Sequence, residues 1–284
     1  MNEFKSPYKQ LNRKVNTWCK YTKRLDTYGC GCQHDCDYCY AKSLLNFRGF
    51  WGTPKPANIR DIRDSIYRLT RKDVVRLGGM TDCFQPAERA NMVTYETIKL
   101  LNNHKINYLI VTKSDLVADS KYMDIYDNSL AHFQITITST EDNDYEKAPS
   151  PKNRIKAIEM LYHSGFDVCV RLSPFLFDNI NLNILNKIKC DKILIEFLKV
   201  NPFIKKVFKI NYNDYSFRYG GFEHLQLSQK IKLCNLVNGF SKVSVGEYVK
   251  EHYEYFRDNL NYNPDDCCNL NLQFYDEPQL KLRL

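Results

Sequence analysis

Short apolar runs alternate with amphipathic stretches between about residue 73 and residue 200. The runs are rich in β-branched residues and predict strands: DVVRLGGM (73–80), INYLIVTKS (106–114), HFQITITS (132–139), DVCVRLSP (167–174) and KILIEFLKV (192–200). The stretches between them predict helices: MVTYETIKLLNNH (92–104), a segment ending near Ser129, SPKNRIKAIEMLYHSG (150–165) and residues 179–189. The third of these helices has the usual start and stop signals, with Ser150 as its N-cap, Pro151 at its first position and Gly165 after its end.

Regular alternation of strands and helices, with nearly continuous apolar strands, indicates an α/β fold in which helices cover a parallel sheet. One further strand before Cys30 brings the number of strands to six. This predicts a partial (β/α)6 barrel of the TIM type, with its chemistry at the carboxyl ends of the strands. After residue 201 the rhythm changes to a helix near 227–238, a strand at 242–248 and a tyrosine-rich helix to about Leu260.

We therefore expect three parts in the chain. Residues 1–24 form an amino-terminal segment and residues 25–200 form the partial barrel. Residues 201–284 form an α+β carboxyl-terminal extension that covers the barrel mouth and contributes to substrate binding.

Composition and the absence of long apolar runs say more about where the protein resides than about what it binds. The 284 residues are 43% hydrophobic, enough for a sizeable core, and a net charge of +8 permits an anionic partner without requiring one. No apolar run approaches the roughly 20 residues of a membrane span. The first residues, MNEFKSPYKQLNRK, lack the apolar stretch of a secretory signal. We expect a cytoplasmic monomer whose thiols stay reduced.

Four of the eleven cysteines lie within TYGCGCQHDCDYCYAK (27–42), which points to metal binding rather than to disulfides. Cys32, Cys36 and Cys39 have the spacing C-x3-C-x2-C, and soft thiolates favour iron–sulfur, zinc or Cu(I). Structural zinc, with Cys30 or His34 as the fourth ligand, stays open as an alternative, although zinc sites usually pair two separate hooks. Three thiolates on one loop would leave one iron of a cubane able to bind a substrate.

This loop resembles that of the radical S-adenosylmethionine (SAM) enzymes, in which C-x3-C-x-aromatic-C follows the first strand of a partial barrel. Tyr38 takes the aromatic position and Tyr40 extends it. Four segments resemble, in order, those of the spore photoproduct lyase-like branch, and together they span about residues 25–200: YGCGCQHDCDYCYA, GGMTDCFQPAE (78–88), VTKS (111–114) and VRLSP (170–174).

The resemblance implies a [4Fe–4S] cluster on Cys32, Cys36 and Cys39 whose fourth iron chelates S-adenosyl-L-methionine. Reductive cleavage would give a 5′-deoxyadenosyl radical that abstracts hydrogen from a substrate. The electron would come from a reducing partner such as flavodoxin or ferredoxin. We expect a nucleic-acid base as substrate, either in DNA lesion repair such as thymine-dimer reversal or in base modification. A peptide or small metabolite is the alternative within the family. A non-catalytic, zinc-containing nucleic-acid-binding protein is the alternative of another class.

The same resemblance assigns cofactor contacts at the strand ends. The full predicted set is Tyr38, Tyr40, Gly79, Thr81, Asp82, Lys113, Ser114, Thr138, Arg171 and Glu196. Thr81 and Asp82 match a segment that faces the methionine amino group, although Asp82 would equally cap the following turn. Lys113 would pair with the methionine carboxylate. Arg171 needs an anionic or hydroxyl-rich partner inside the barrel, and Glu196 would meet the cofactor or Arg171.

Repair chemistry also needs a hydrogen atom returned to the substrate, and a thiol is a good donor. The candidates are Cys83, expected to face the barrel mouth, and the pair Cys267 and Cys268, of which only one is expected to enter the site. The late pair would otherwise be core residues, or ligands of a second metal too poor in sulfur to stand alone. Residues 199–224 interleave basic and aromatic side chains, which suits nucleic acid or a solvated basic edge on a hydrophobic layer.

Overall fold

An eight-stranded sheet forms the centre of the computed structural model, which describes residues 7–11, 18–272 and 274. Its order is β1-β2-β5-β6-β7-β8-β9-β12, and every neighbouring pair is parallel except β1 with β2. The strands are β1 (Tyr8–Gln10), β2 (Lys23–Leu25), β3 (Tyr28–Gly29), β4 (Lys55–Pro56), β5 (Val74–Leu77), β6 (Asn107–Thr112), β7 (Ala131–Ile137), β8 (Asp167–Phe175), β9 (Lys192–Phe197), β10 (Phe217–Tyr219), β11 (Phe222–His224) and β12 (Lys242–Val245). Residues 1–6 and 12–17 of the predicted amino-terminal segment, and residues 273 and 275–284 of the predicted extension, lie outside the described residues.

Ten helices accompany the strands in the described part of the chain, and most lie between consecutive parallel strands. They are α1 (Tyr40–Phe47), α2 (Ile59–Ile66), α3 (Glu88–Asn91), α4 (Val93–His104), α5 (Ser120–Met123), α6 (Pro151–His163), α7 (Leu182–Leu185), α8 (Pro202–Val207), α9 (Leu227–Cys234) and α10 (Lys250–Asn259). The cap of α6 is as predicted: the Ser150 hydroxyl accepts the Asn153 N–H at 3.3 Å, Pro151 begins the helix, and Gly165 follows its end at φ +81°.

The parallel α/β barrel and its six predicted strands, β2 and β5 to β9, are confirmed. The strand predicted at 242–248 is the shorter β12, and it pairs with β9 as a seventh parallel strand. Part of the predicted extension therefore continues the barrel sheet. It does so because Val245 is buried in the same apolar layer as β9.

Two predicted helices are much shorter than expected. The stretch before Ser129 forms a 3₁₀ turn at Asp115–Ala118 and the short α5, because Ser114 and Asp119 each cap a new turn with their side chains. The stretch at 179–189 keeps only α7, which the Asn181 side chain caps. Asparagine and serine side chains compete with the backbone for hydrogen bonds, which favours such caps over long helices.

The two faces of the barrel strands differ in chemistry although both are buried. Every residue of β6 and β7 is buried. On β7 the outward residues, such as Ile135, join the apolar layer beneath the helices, whereas the inward positions carry His132, Gln134 and Thr136. The continuous burial inferred from the sequence thus includes a largely polar inner face.

Residues 266–272 close the interior near the amino-terminal ends of the strands. Asp167 accepts hydrogen bonds from the His132 ring (2.7 Å) and from the Asn271 N–H (2.9 Å). The Lys192 ammonium pairs with Asp167 and donates to the Asn269 carbonyl. The described part of the chain has no helix long and apolar enough to cross a bilayer.

Candidate functional site

A cavity of about 340 Å³ lies inside the barrel. Its walls come from the cysteine loop, the carboxyl ends of the parallel strands and residues near both ends of the described chain. Most of the predicted site residues line it: Cys32, Cys36, Tyr38, Cys39, Tyr40, Gly79, Thr81, Asp82, Lys113, Arg171, Glu196, Cys267 and Cys268. The folded chain therefore brings residues more than 230 positions apart in sequence to one cavity.

Three predicted residues, Cys83, Ser114 and Thr138, do not line the cavity. The Ser114 hydroxyl accepts the Leu116 N–H at 3.3 Å and caps the following 3₁₀ turn. The Thr138 hydroxyl donates to Glu146 at 2.9 Å. Both side chains are buried, with roles inside the protein rather than on the cavity wall.

The expectation that Cys83 faces the barrel mouth is wrong. The Phe84 N–H donates to the Asp82 carboxylate at 2.8 Å, which turns the chain just after Asp82. Cys83 consequently points into the core beneath the helices, where it is 1% exposed. A thiol in that position has no access to a substrate in the cavity.

The cysteine loop is held by close backbone contacts. The Gly52 N–H donates to the Cys30 carbonyl at 2.5 Å, and a Cβ on Gly31 would lie 2.0 Å from the Gly52 oxygen, so glycine is required at position 31. Two glutamines tie the loop to the segment after β5, because the Gln33 N–H donates to Gln85 at 3.0 Å and the Ala87 N–H donates to the Gln33 side chain at 2.6 Å. Cys30 itself does not line the cavity.

The three loop thiols form a soft donor set on one wall. Burial raises the pKa of Cys32 to about 12 and also raises the pKa of Cys36 and of Cys39. Without a cation these thiols stay protonated, so binding a metal must supply the positive charge that stabilises thiolates. Among the described residues, these three sulfur atoms do not form a group in which all lie within 4.8 Å of one another.

Sequence analysis missed Glu146, the buried carboxylate beside this loop. It accepts hydrogen bonds from the Tyr38 hydroxyl, the Thr138 hydroxyl and the Arg154 guanidinium. Burial would raise the pKa of Glu146, but the charges of Lys113 and Arg154 outweigh it and lower this pKa to about 2. The Tyr38 hydroxyl is thus engaged within the protein, and only its ring is offered to the cavity.

One signal for this pair was present in the sequence. Arg154 lies on the apolar side of α6, in line with the buried residues Ala157, Ile158 and Leu161. An arginine at such a position requires a buried anion, although its position gives no hint of which one.

The Asp82 carboxylate serves the fold, as in the turn-capping alternative. One of its oxygens accepts the Thr112 hydroxyl (2.7 Å) and the Phe84 N–H, and the other accepts the Lys113 N–H (2.7 Å) and lies 3.3 Å from His34 Nε2. Burial opposes ionisation, but His34 and these donors lower the pKa of Asp82. Little acceptor capacity is left for a ligand's ammonium group.

The neighbouring residues on this wall act mainly through the backbone. The Thr81 hydroxyl donates to the Tyr28 carbonyl at 2.6 Å. Gly78 has φ +79°, and a Cβ there would lie 2.3 Å from the Val111 carbonyl oxygen. A Cβ on Gly79 would overlap the Arg24 side chain. The segment from Gly78 to Asp82 therefore offers the cavity chiefly its peptide groups.

The two predicted cationic residues, Lys113 and Arg171, both line the cavity but differ in their partners. The Lys113 ammonium lies 3.5 Å from the Ser173 carbonyl and 5.3 Å from the centre of the Tyr38 ring. The Arg171 guanidinium donates to Gln134 and to Glu196, as one of the two sequence alternatives for Glu196 predicted. Burial opposes both charges, but their attraction raises the pKa of Arg171 and lowers that of Glu196.

The segment 199–224 packs a few apolar side chains into the core and has a basic, exposed edge. Phe208 and Tyr215 are 3% and 9% exposed, and Lys205 pairs with Glu223. Lys199 is the exception, because it lines the cavity with its ammonium 4.7 Å from the Tyr40 ring centre and 4.6 Å from that of Tyr248.

Comparison with known proteins places this geometry in context. The family model of the radical SAM superfamily matches residues 27–189. The uncharacterised protein MJ0683 of Methanocaldococcus jannaschii is 29% identical over 159 residues, which are 54% of this chain. The matched region spans only 60% of that relative's length.

Solved structures share the fold at low sequence identity. A spore photoproduct lyase mutant with bound AdoMet and dinucleoside spore photoproduct has a TM-score of 0.59 at 14% identity, covering 87% of this chain and 76% of its own. Methylornithine synthase (PylB) has a TM-score of 0.51 at 11% identity, covering 78% of this chain and 64% of its own. These likenesses concern the arrangement of the barrel and its extension.

Replacing Glu146 by glutamine should destabilise the protein by about 3 kcal/mol at pH 7, because the carboxylate has a lower pKa when folded than when unfolded. That contribution is present above the unfolded pKa near 4.5 and is lost as the pH falls through about 2. Urea unfolding of the wild type and Glu146→Gln at pH 7 and in acid measures it. The exposed Glu141→Gln is the control. A difference independent of pH would contradict this interpretation.

Proposed function

Since this chain belongs to the radical SAM superfamily of enzymes, we propose that Cys32, Cys36 and Cys39 hold a [4Fe–4S] cluster at which S-adenosylmethionine binds. The observation that carries the proposal is the convergence of these three thiols on one cavity with Lys113. When bound, the cluster supplies the electron that cleaves S-adenosylmethionine to a 5′-deoxyadenosyl radical, which abstracts hydrogen from the substrate. Membership of an enzyme superfamily excludes the non-catalytic zinc protein as an alternative.

Lys113 is proposed to bind the methionine carboxylate. Its ammonium group has a long contact to one carbonyl and an aromatic ring beside it, so it retains capacity for a charge-assisted hydrogen bond. The methionine amino group is proposed to meet the peptide carbonyls between Gly79 and Asp82 rather than the Asp82 side chain. Asp82 then acts as a positioning residue that holds this segment.

Glu196 is proposed to accept a hydroxyl group of the ribose. Among the described residues, both donors that contact it, Arg171 and Ser173, reach the same oxygen, Oε2. Its other oxygen is directed toward Gly246, which also lines the cavity. Arg171 keeps the carboxylate ionised and in place.

A nucleic-acid base is proposed as the substrate, supported by the aromatic rim of the cavity. Trp18 stacks on Tyr253 with ring centres 5.5 Å apart, and both line the cavity with Tyr40 and Tyr248. Aromatic faces of this kind bind flat bases, and Lys199 beside them suits a phosphate. The dinucleoside bound in a structurally similar lyase is consistent with such a ligand.

A small metabolite or peptide is the second candidate, and one observation favours it. Lys205 and Arg218 both lie close to Glu223, and Phe208 and Tyr215 of the 199–224 segment are buried. This segment therefore offers little continuous basic surface for a long nucleic-acid backbone. Either substrate would require an external reductant such as flavodoxin or ferredoxin.

Cys36→Ala should abolish both the cluster and cofactor cleavage, because two remaining thiolates hold a cubane poorly. Anaerobic reconstitution with iron and sulfide, followed by dithionite and S-adenosylmethionine, measures visible absorption and 5′-deoxyadenosine. Cys190→Ala, which removes a buried thiol outside the cavity lining, should retain both. A wild-type protein that forms no cluster would overturn the proposal.

Lys113→Gln should weaken S-adenosylmethionine binding about tenfold to a hundredfold, the worth of one hydrogen bond to a charged group. Equilibrium dialysis with the cluster-loaded protein measures the dissociation constant. Lys121→Gln is the matched control, since this lysine does not line the cavity. Equal affinity of Lys113→Gln and wild type would remove Lys113 from the cofactor site.

Lys199→Gln should reduce by about one the slope of log affinity against log salt for a short single-stranded oligonucleotide containing an ultraviolet lesion. Fluorescence anisotropy at several salt concentrations gives this slope. The exposed Lys206→Gln is the control and should leave it unchanged. Absence of oligonucleotide binding by the wild type would favour the small-metabolite alternative.

A further inference from the structure

Three thiols outside the cysteine loop meet inside the barrel. Cys19 precedes β2, and Cys267 and Cys268 lie near the end of the described chain. Their sulfur atoms all lie within 4.8 Å of one another, and those of Cys19 and Cys268 are 3.8 Å apart. Among the described residues this is the one group of three metal-ligating side chains that is so compact.

The spacing matches a single tetrahedral ion. Zinc–thiolate bonds of about 2.3 Å at tetrahedral angles separate the sulfurs by about 3.8 Å. Thiolates on separate irons of a cubane lie further apart. We propose that Cys19, Cys267 and Cys268 bind one thiophilic divalent cation, zinc, at a site distinct from the cysteine loop.

A fixed turn directs two consecutive cysteines toward the same point. The Asp266 carboxylate accepts the Cys268 N–H at 3.0 Å, and the Asp266 carbonyl accepts the Asn269 N–H at 2.9 Å. Asn269 has φ +51°, in the left-handed region that asparagine tolerates. Tyr21 and Lys20 both contact Asp266, which anchors this turn against the segment carrying Cys19.

This geometry corrects the expectation that only one of the two late cysteines could enter the site. Both line the cavity, and Cys19 supplies the third sulfur that the pair lacked. Since all three face the cavity, a fourth coordination position is open to it, as in zinc sites that bind water or a substrate atom. The occupant of that position would be water or a donor atom of the substrate.

The electrostatic surroundings suit the complex. Three thiols that bind Zn²⁺ release three protons, and the resulting complex carries one negative charge. Arg76 and Arg171 line the same cavity and offset that charge. On one side the apolar residues Val111 and Leu194 pack near Cys268 and limit access of water.

Zinc binding would also exclude these cysteines as hydrogen-atom donors. A coordinated thiol is deprotonated, so no S–H bond is left on Cys267 or Cys268. The proposal does not depend on the cluster or on the proposed reaction, because it involves none of the loop cysteines. The two proposals therefore fail independently.

The test uses the full chain with Cys36→Ala, which lacks an intact cluster loop. Metal analysis of protein purified without air should find about one zinc per chain, and Co²⁺ titration should give the absorption of a tetrahedral thiolate complex. Adding Cys19→Ser and Cys268→Ser should remove both signals. Adding Cys190→Ser instead should leave them intact, since that thiol does not line the cavity.

A second measurement avoids the risk that the double substitution disturbs folding. In the wild-type chain, zinc should protect Cys19, Cys267 and Cys268 from alkylation by iodoacetamide, and a chelator should expose them, as read by peptide mass spectrometry. Zinc retained by the Cys19→Ser and Cys268→Ser variant would overturn the proposal. So would a Cys19–Cys268 disulfide in the purified protein, or iron with inorganic sulfide in place of zinc in the Cys36→Ala protein.

Discussion

The buried carboxylate of Glu146 holds the cysteine loop to the barrel. An ion removed from water needs compensating partners, and Glu146 finds them on three separate elements: Tyr38 on the loop, Thr138 after β7, and Arg154 on α6. Tyr38 donates to Oε2, whereas Thr138 and Arg154 donate to Oε1, so both oxygens of the buried carboxylate have partners. The loop thus owes its position to a long-range electrostatic constraint as much as to its own glycines.

A second buried carboxylate, that of Asp82, also contacts the cysteine loop. Asp82 joins the ends of β5 and β6 through Thr112 and Lys113, and its other contact is His34 on the loop. Glu196 likewise forms an ion pair with Arg171. Asp82 and Glu196, two carboxylates that line the cavity, thus both have partners within the protein. The wall left for a ligand consists of thiols, peptide groups, aromatic rings, the Lys113 and Lys199 ammonium groups and the second carboxylate oxygen of Glu196.

Local pattern was sufficient to predict the six central strands, the capped helix α6 and the cysteine loop, because each is encoded within a few turns of chain. Contacts between residues far apart in the sequence could not be predicted from local pattern. Periodicity gives the face on which Arg154 lies but does not identify Glu146 as its partner. Cys83 was misplaced because the chain turns at Asp82, whose carboxylate accepts the Phe84 N–H, and Cys83 lies in the core. The meeting of Cys19 with Cys267 and Cys268 joins two segments that have no periodicity of their own.

The floor of the barrel has a consequence for biosynthesis. Residues 266–272 hydrogen-bond to groups at the base of the barrel: Asn269 to Lys192, Asn271 to Asp167 and Asp266 to Tyr21. These residues are synthesised long after the strands that they contact. Contacts such as that between Cys19 and Cys268 span 249 positions of sequence. These contacts close loops of great length, which carries an entropic cost. The base of the barrel therefore closes only once residues 266–272 have been synthesised.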